Sequence, residues 1–296
     1  MPLWVAISLA AAFLQNARTA LQKTLTPRVG IIGATYARFL FAAPWAMLVV
    51  AALLWHRGIG LPHMGAAFAA WALLGAVAQI AGTLLLLHLF SLRNYAVGNT
   101  FARTETVQSA LFGLVLLGDR LHGLTVAGIL VSLAGLVLLS ASRGFLGGVL
   151  NRAAALGLGC GASFAIAAIG YRAASLALPE TGELLIRPAL TLAFVTVVQS
   201  VLLTGWLWAK GDGGIGAVLR EWRLESMVGA AGMLASLGWF TAFTLVPVAQ
   251  VKAVGQIELV FNWLTARFAF GERPSARETT AIGLVCAGIV LLVLGG

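Results

Sequence analysis

The chain has 296 residues, 60% of them hydrophobic and only 10% charged, with a mean hydropathy of +0.96. So few charges cannot cover the surface of a water-soluble domain of this length, which excludes that class. The formal charge of +9 would suggest nucleic acid in a soluble protein, but here the basic residues stand mostly at the ends of apolar runs. There they set orientation and meet anionic headgroups, so membrane lipid is the expected partner and nucleic acid is not.

Apolar runs of about 18 residues or more recur along the chain, each long enough to cross about 30 Å of hydrocarbon as a helix. The first, Leu3 to Leu25, has no basic residue ahead of it and reads as a permanent span rather than a signal peptide. It is the most polar of the spans: Gln15, Thr19 and Gln22 line up at i, i+4 and i+7, with Asn16, Arg18 and Lys23 alongside, as expected of a helix lining a pathway. Ile31 to Trp55 follows with Arg38 near its start, and then Ala66 to Phe90. Ala96 to Leu117 carries Asn99, Arg103 and Thr106 on one face and Glu105 with Ser109 on the other. Leu124 to Ser142, Ala153 to Leu176 and Leu184 to Trp208 come next.

The longest connection runs from Lys210 to Glu225, where Val218, Leu219, Trp222 and Leu224 alternate with Arg220, Glu221, Arg223 and Glu225, the pattern of a short interfacial helix. The last spans are Met227 to Leu245, Ala249 to Phe270 and Thr279 to Leu294. In the ninth, Lys252 and Gln256 share a face, while Glu258, Asn262 and Thr265 form a second stripe at i, i+4 and i+7. The expectation is an all-α, multi-pass integral membrane protein of ten transmembrane helices, placed in a bacterial inner (cell) membrane.

Cys160 and Cys286 lie inside spans with neither a disulfide framework nor a metal spacing and read as packing residues. His56, His63, His88 and His122 show no ligand spacing, so no metal, cofactor or catalytic residue is expected. Gly161, Ala162 and Ser163 begin like an intramembrane serine protease motif, but Phe164 stands where its second glycine belongs. An enzyme is therefore not the expectation. A channel would need a filter loop or a ring of pore charges, and no re-entrant segment is visible.

An internal duplication carries more information. LLGDRLHGLTVAGILVSLAGLVLL, from Leu116, matches FAFGERPSARETTAIGLVCAGIVLLVL, from Phe268, at a shift of about 153 residues. Gly118, Asp119 and Arg120 fall on Gly271, Glu272 and Arg273, Gly135 on Gly288, Glu105 on Glu258 and Phe90 on Phe243. Nearer the start of each unit the shift is about 149, placing Lys23 on Arg172 and Arg38 on Arg187. The units are residues 1–145 and 146–296. Each has five spans, an odd number, so the second begins on the opposite side of the membrane and the pair forms two inverted five-helix repeats. Two symmetry-related conformations open to opposite sides are what alternating access requires.

A helix ending in Gly-Asp/Glu-Arg, a short polar turn and a glycine-dotted closing helix, present twice, resemble the EamA-type repeat of the drug/metabolite transporter superfamily. Lys23 and Arg172 near the end of the first helix of each unit, and Arg38 and Arg187 near the start of the second, fit the same pattern. The resemblance implies ten helices around a central cavity and carrier-type movement of small metabolites, often export, with both termini in the cytoplasm. The distribution of loop arginines and lysines instead puts the termini outside, so orientation stays open. Ala281 stands where the first copy has Gly128, and the fourth helix lacks the proline common in that family.

Charge within a bilayer is costly unless it faces a cavity or a partner, which singles out Glu105 and Glu258. They are expected to bind a coupling proton or a cationic substrate group, or else to form ion pairs with Arg38, Arg103, Arg187 or Lys252. Asn99, Arg103, Lys252 and Gln256 are the groups expected to hold an anion or to neutralise the glutamates. Gln15, Thr19, Gln22, Asn262 and Trp239 complete the expected lining, Trp239 as a stacking surface. The function expected is secondary active transport of a small polar metabolite, an amino acid or amine first, with the proton as coupling ion, by a monomer or homodimer. Exchange of an anionic metabolite held by Arg38, Arg103 and Lys252 is the alternative.

Overall fold

A computed structural model describes residues 1–90, 104–120, 122–141, 152–211, 214–258, 260–261, 264 and 276–295. No β-strand occurs among them. The helices are α1 (Leu3–Arg57), α2 (Ala66–Phe90), α3 (Glu105–Phe112), α4 (Gly123–Ala141), α5 (Arg152–Ala177), α6 (Ile186–Lys210), α7 (Gly214–Arg220), α8 (Trp222–Leu245), α9 (Val248–Gly255) and α10 (Ala276–Gly295). Within α1 the helical path breaks at Gly30 (φ 72, ψ 170), between the first two spans expected from sequence. Among the described residues Ile32–Arg57, Ala66–Leu86, Ala155–Ala177, Ile186–Lys210 and Trp222–Leu245 are long and apolar enough to cross a bilayer, the pattern of a multi-pass membrane protein.

The helices form two compact units, one from Met1–Leu9, Ala78–Ile169 and Leu245–Gly296, the other from Ala10–Val77 and Gly170–Thr244. Each unit draws on both halves of the sequence.

In the first unit α3 ends in a π-helical turn over Gly113–Leu117, closed by the Asp119 N–H donating to the Gly113 carbonyl at 3.1 Å. Gly118 takes φ 67 at this point, a left-handed conformation that L side chains adopt only with strain. The Gly118-Asp119-Arg120 element is thus a helix terminator. Its counterpart at Gly271 lies outside the described residues.

α4 and α10 pack along a seam of small residues. A Cβ on Gly135 would sit 2.6 Å from the Ala281 carbonyl oxygen, and one on Gly288 would sit 2.6 Å from that of Gly128. Arg277 Nε donates to the Leu138 carbonyl at 3.2 Å. Residue numbers rise on one helix as they fall on the other, so the two run antiparallel. Close approach through small residues is how apolar helices gain packing where lipid supplies no hydrophobic driving force.

The second unit uses the same device. A Cβ on Gly170 of α5 would lie 2.9 Å from the Trp71 carbonyl oxygen and 3.0 Å from the Gly75 backbone of α2. Tyr171, next in sequence, is buried and stacks on Phe240 with centroids 4.3 Å apart. Its hydroxyl donates to the Gly75 carbonyl at 3.1 Å.

Candidate functional site

The sequence-predicted polar residues fall into clusters within the two units. In the first unit Lys252 Nζ of α9 lies 3.4 Å from Glu105 Oε2 of α3, both side chains about four-fifths covered. One turn beyond Lys252, Gln256 Nε2 donates to Oγ1 of Thr106, the residue next to Glu105, at 3.3 Å. The i to i+4 spacing of Lys252 and Gln256 puts both on one face of α9, which is why two contacts form together. Ser109, four residues beyond Glu105, and Gln108 share that side of α3. The atoms Ser109 Oγ, Gln108 Oε1 and Gln256 Oε1 are buried and have no hydrogen-bond partner among the described residues, while Gln108 Nε2 donates to the Leu158 carbonyl at 3.3 Å. The cluster therefore joins one anion, one cation and three oxygens with bonding capacity left over, set among apolar helices.

Glu258 is placed differently from a mid-helix residue. α9 ends at Gly255, and the N–H groups of Gln256 and Ile257 donate to Ala253 and Val254 at 3.1 and 3.0 Å, three residues back rather than four. This 3₁₀ tightening interrupts the regular helix expected across Ala249 to Phe270 over Gln256 and Ile257, and Glu258 is helical again directly after it. Of the stripe expected through Glu258, Asn262 and Thr265, the last two lie outside the described residues, as do Asn99 and Arg103.

In the second unit Trp239 Nε1 donates to Gln15 Oε1 at 3.0 Å, and the indole stacks on Phe243 with centroids 6.4 Å apart. Sequence spacing proposed both residues without linking them. Arg172 donates to the Phe243 carbonyl, so a basic residue, an aromatic pair and an amide meet at one end of α8. Arg38 is half-buried, its guanidinium 5.3 Å from the ring centroid of Phe39. Thr19 and Gln22 belong to α1, but their side chains are not among the described ones.

Sequence reasoning missed a second polar network. Gln199, 1% exposed, donates through Nε2 to the Tyr171 hydroxyl and the Ala76 carbonyl, each at 3.3 Å. The available signal was Gln199 itself, the one amide side chain in a 25-residue helix whose other polar residues between its ends are hydroxyls. Cys160, fully buried, points Sγ at the Gly82 carbonyl at 3.4 Å, consistent with a packing role.

No family model and no curated protein matches the chain. A solved structure described only as a crystal structure of a protein matches it with a TM-score of 0.71, covering 98% of this chain and 96% of the other at 19% identity. At that identity the likeness is one of fold alone.

Proposed function

We propose that the chain is a ten-helix secondary active transporter of the EamA type, built as two inverted five-helix repeats. In this reading it moves a small polar metabolite, an amino acid or amine first, by alternating access coupled to protons. The observation that carries it is the antiparallel seam of α4 and α10. The approach of Gly135 to Ala281 and that of Gly288 to Gly128 are exchanged by one shift of 153 residues, since 128 maps to 281 and 135 to 288. A two-fold axis that relates two antiparallel helices lies perpendicular to them. For helices that span a bilayer this is an axis in the membrane plane, the relation on which inverted repeats are built.

The Glu105–Lys252 cluster supplies groups that such a carrier needs, a charge pair and unspent hydrogen-bonding atoms inside an apolar unit. Lys252 is engaged by a carboxylate, which favours a zwitterionic or cationic solute over the anion-exchange alternative. The test is reconstitution in vesicles with labelled alanine, lysine and putrescine as probes and an imposed pH gradient. Gradient-driven accumulation of one of them supports the reading; equal flux through empty and loaded vesicles for every probe refutes it. A thermal-shift screen of amino acids, amines, purines and sugar phosphates ranks the solutes, since binding stabilises with the logarithm of saturation.

A further inference from the structure

The second compact unit holds a carboxyl group that the cluster around Glu105 leaves out. Glu225 stands in the first turn of α8 and is 0% exposed, and neither carboxyl oxygen has a hydrogen-bond partner among the described residues. Its turn is packed on both sides. Ser226 Oγ receives the Trp45 indole N–H at 3.3 Å. Gly229 lies so near Phe41 that a Cβ there would be 2.6 Å from the Phe41 carbonyl carbon. Val218 of α7, also 0% exposed, reaches within 3.3 Å of where a Cβ on Gly33 would stand. The corner made by α7 and the start of α8 is therefore clamped onto the second half of α1.

An ionised carboxylate held there would have given up its water and received no donor in return, a strongly disfavoured state. A metal ion does not answer the need. It requires several oxygen ligands, and no group of three or more metal-binding side chains occurs among the described residues. The charged and titratable groups on the packed elements include Arg220, Glu221 and Arg223 at the corner, Tyr36 and Arg38 on the second half of α1, and on its first half the buried Arg18, whose Cδ lies 3.0 Å from where a Cβ on Gly232 of α8 would stand. Tyr36 shares a hydrogen bond of 2.9 Å with Thr204, Arg38 lies over Phe39, and Arg223 lies 5.5 Å from the Trp222 centroid. Glu221, four residues back on the same turn, adds a like charge. Directly outside is an open groove of about 430 Å³ lined by Arg220, Glu221, Trp222, Arg223 and Leu224, where a released proton finds water and an ionised side chain finds two guanidinium groups.

We infer that Glu225 is a proton-binding site, and that the α7–α8 corner closes on α1 with Glu225 protonated and opens when its proton leaves for water. The site is separate from the transport reading and stands or falls without it. Because the closed corner binds the proton, closure holds at low pH and weakens as pH rises, by up to about tenfold in the opening constant per pH unit once the open form is ionised.

The experiment is hydrogen exchange of the full chain in lipid nanodiscs at about pH 5 and about pH 9, corrected for intrinsic exchange chemistry, read over residues 214–232. The wild type is expected to lose protection in this segment at the higher pH by at least tenfold, while Glu225→Gln and Glu225→Met stay protected at both. Glu221→Gln is expected to move the transition without removing it. An equal pH response in both Glu225 variants, or none in the wild type, overturns the assignment. Infrared difference spectra across the same pH range give an independent reading. A protonated-carboxyl band that titrates in the wild type and is absent from Glu225→Gln supports the site, and a titrating band that survives in both Glu225 variants refutes it.

Discussion

Ser132 Oγ donates to the Val285 carbonyl at 3.4 Å, and the two residues stand 153 positions apart, the shift that matches the later segments of the two halves of the sequence. The residue pair is thus its own image under that shift, as the inverted repeat proposed above would require of α4 and α10. The sequence-equivalent glycines Gly135 and Gly288 flank it, one on each helix, and they make the approach possible.

Enlarging either glycine breaks this seam, because backbone atoms stand in the space, joined by the Ser132 hydroxyl at Gly288 and Leu284 Cβ at Gly135. Gly135→Val and Gly288→Val are each expected to cost about 1–3 kcal/mol, as overpacking does. Gly283→Ala, where a Cβ meets nothing within 4 Å, is expected to be neutral. Thermal unfolding in detergent, followed by tryptophan fluorescence, checks all three; equal melting temperatures would show that the seam does not form.

At Gly118 a side chain must enter the left-handed region (φ 67) although the space around it is empty. Gly118→Ala is expected to destabilise by about 1 kcal/mol and Gly118→Asn by less, since asparagine tolerates that conformation better. The order of the two melting temperatures is the measurement, and a lower value for the asparagine variant would contradict the backbone argument.

Removing one member of the Glu105–Lys252 pair leaves the other charge partly covered without this partner, so Glu105→Gln and Lys252→Met are each expected to cost more than the double variant predicts by simple addition. A coupling of about 1 kcal/mol is the expected scale for a pair that is mostly covered. Unfolding midpoints of the four proteins give the coupling directly, and strict additivity would show that the pair contributes nothing.

The Tyr171–Gln199 network makes a similar case in the other unit. Tyr171→Phe keeps the stack on Phe240 but leaves the Gly75 carbonyl and the Gln199 amide short of a partner. A loss of about 0.6–2 kcal/mol is expected, in the range of interhelical hydrogen bonds in membranes. Gln199→Leu in that background is expected to cost less than it does alone, because the amide has already lost one bond, and the same unfolding assay decides it.

The need of carboxylates for partners is legible in the linear chain: lipid tolerates neither Glu105 nor Glu258, so their place inside apolar runs is enough to mark both as residues that matter. The spans are legible for the same reason, since hydrocarbon imposes a length and an apolar character that water does not. Span 66–90, for example, coincides with α2.

What the linear chain could not supply were the pairings, which depend on contacts between residues far apart in sequence. It offered Arg38, Arg103, Arg187 and Lys252 as equal partners for the glutamates, and the crossing of α3 and α9 put Lys252 beside Glu105. It put Glu225 in a connection, where charge is cheap; the packing of Ser226 and Gly229 against α1 buried it. It drew the ninth helix unbroken past Glu258, because nothing in the identities of Gly255 and Gln256 forces the hydrogen bonds to shift from four residues to three. Solvent determines which segments become helices and which side chains are expensive; only tertiary packing decides which expensive side chain meets which partner.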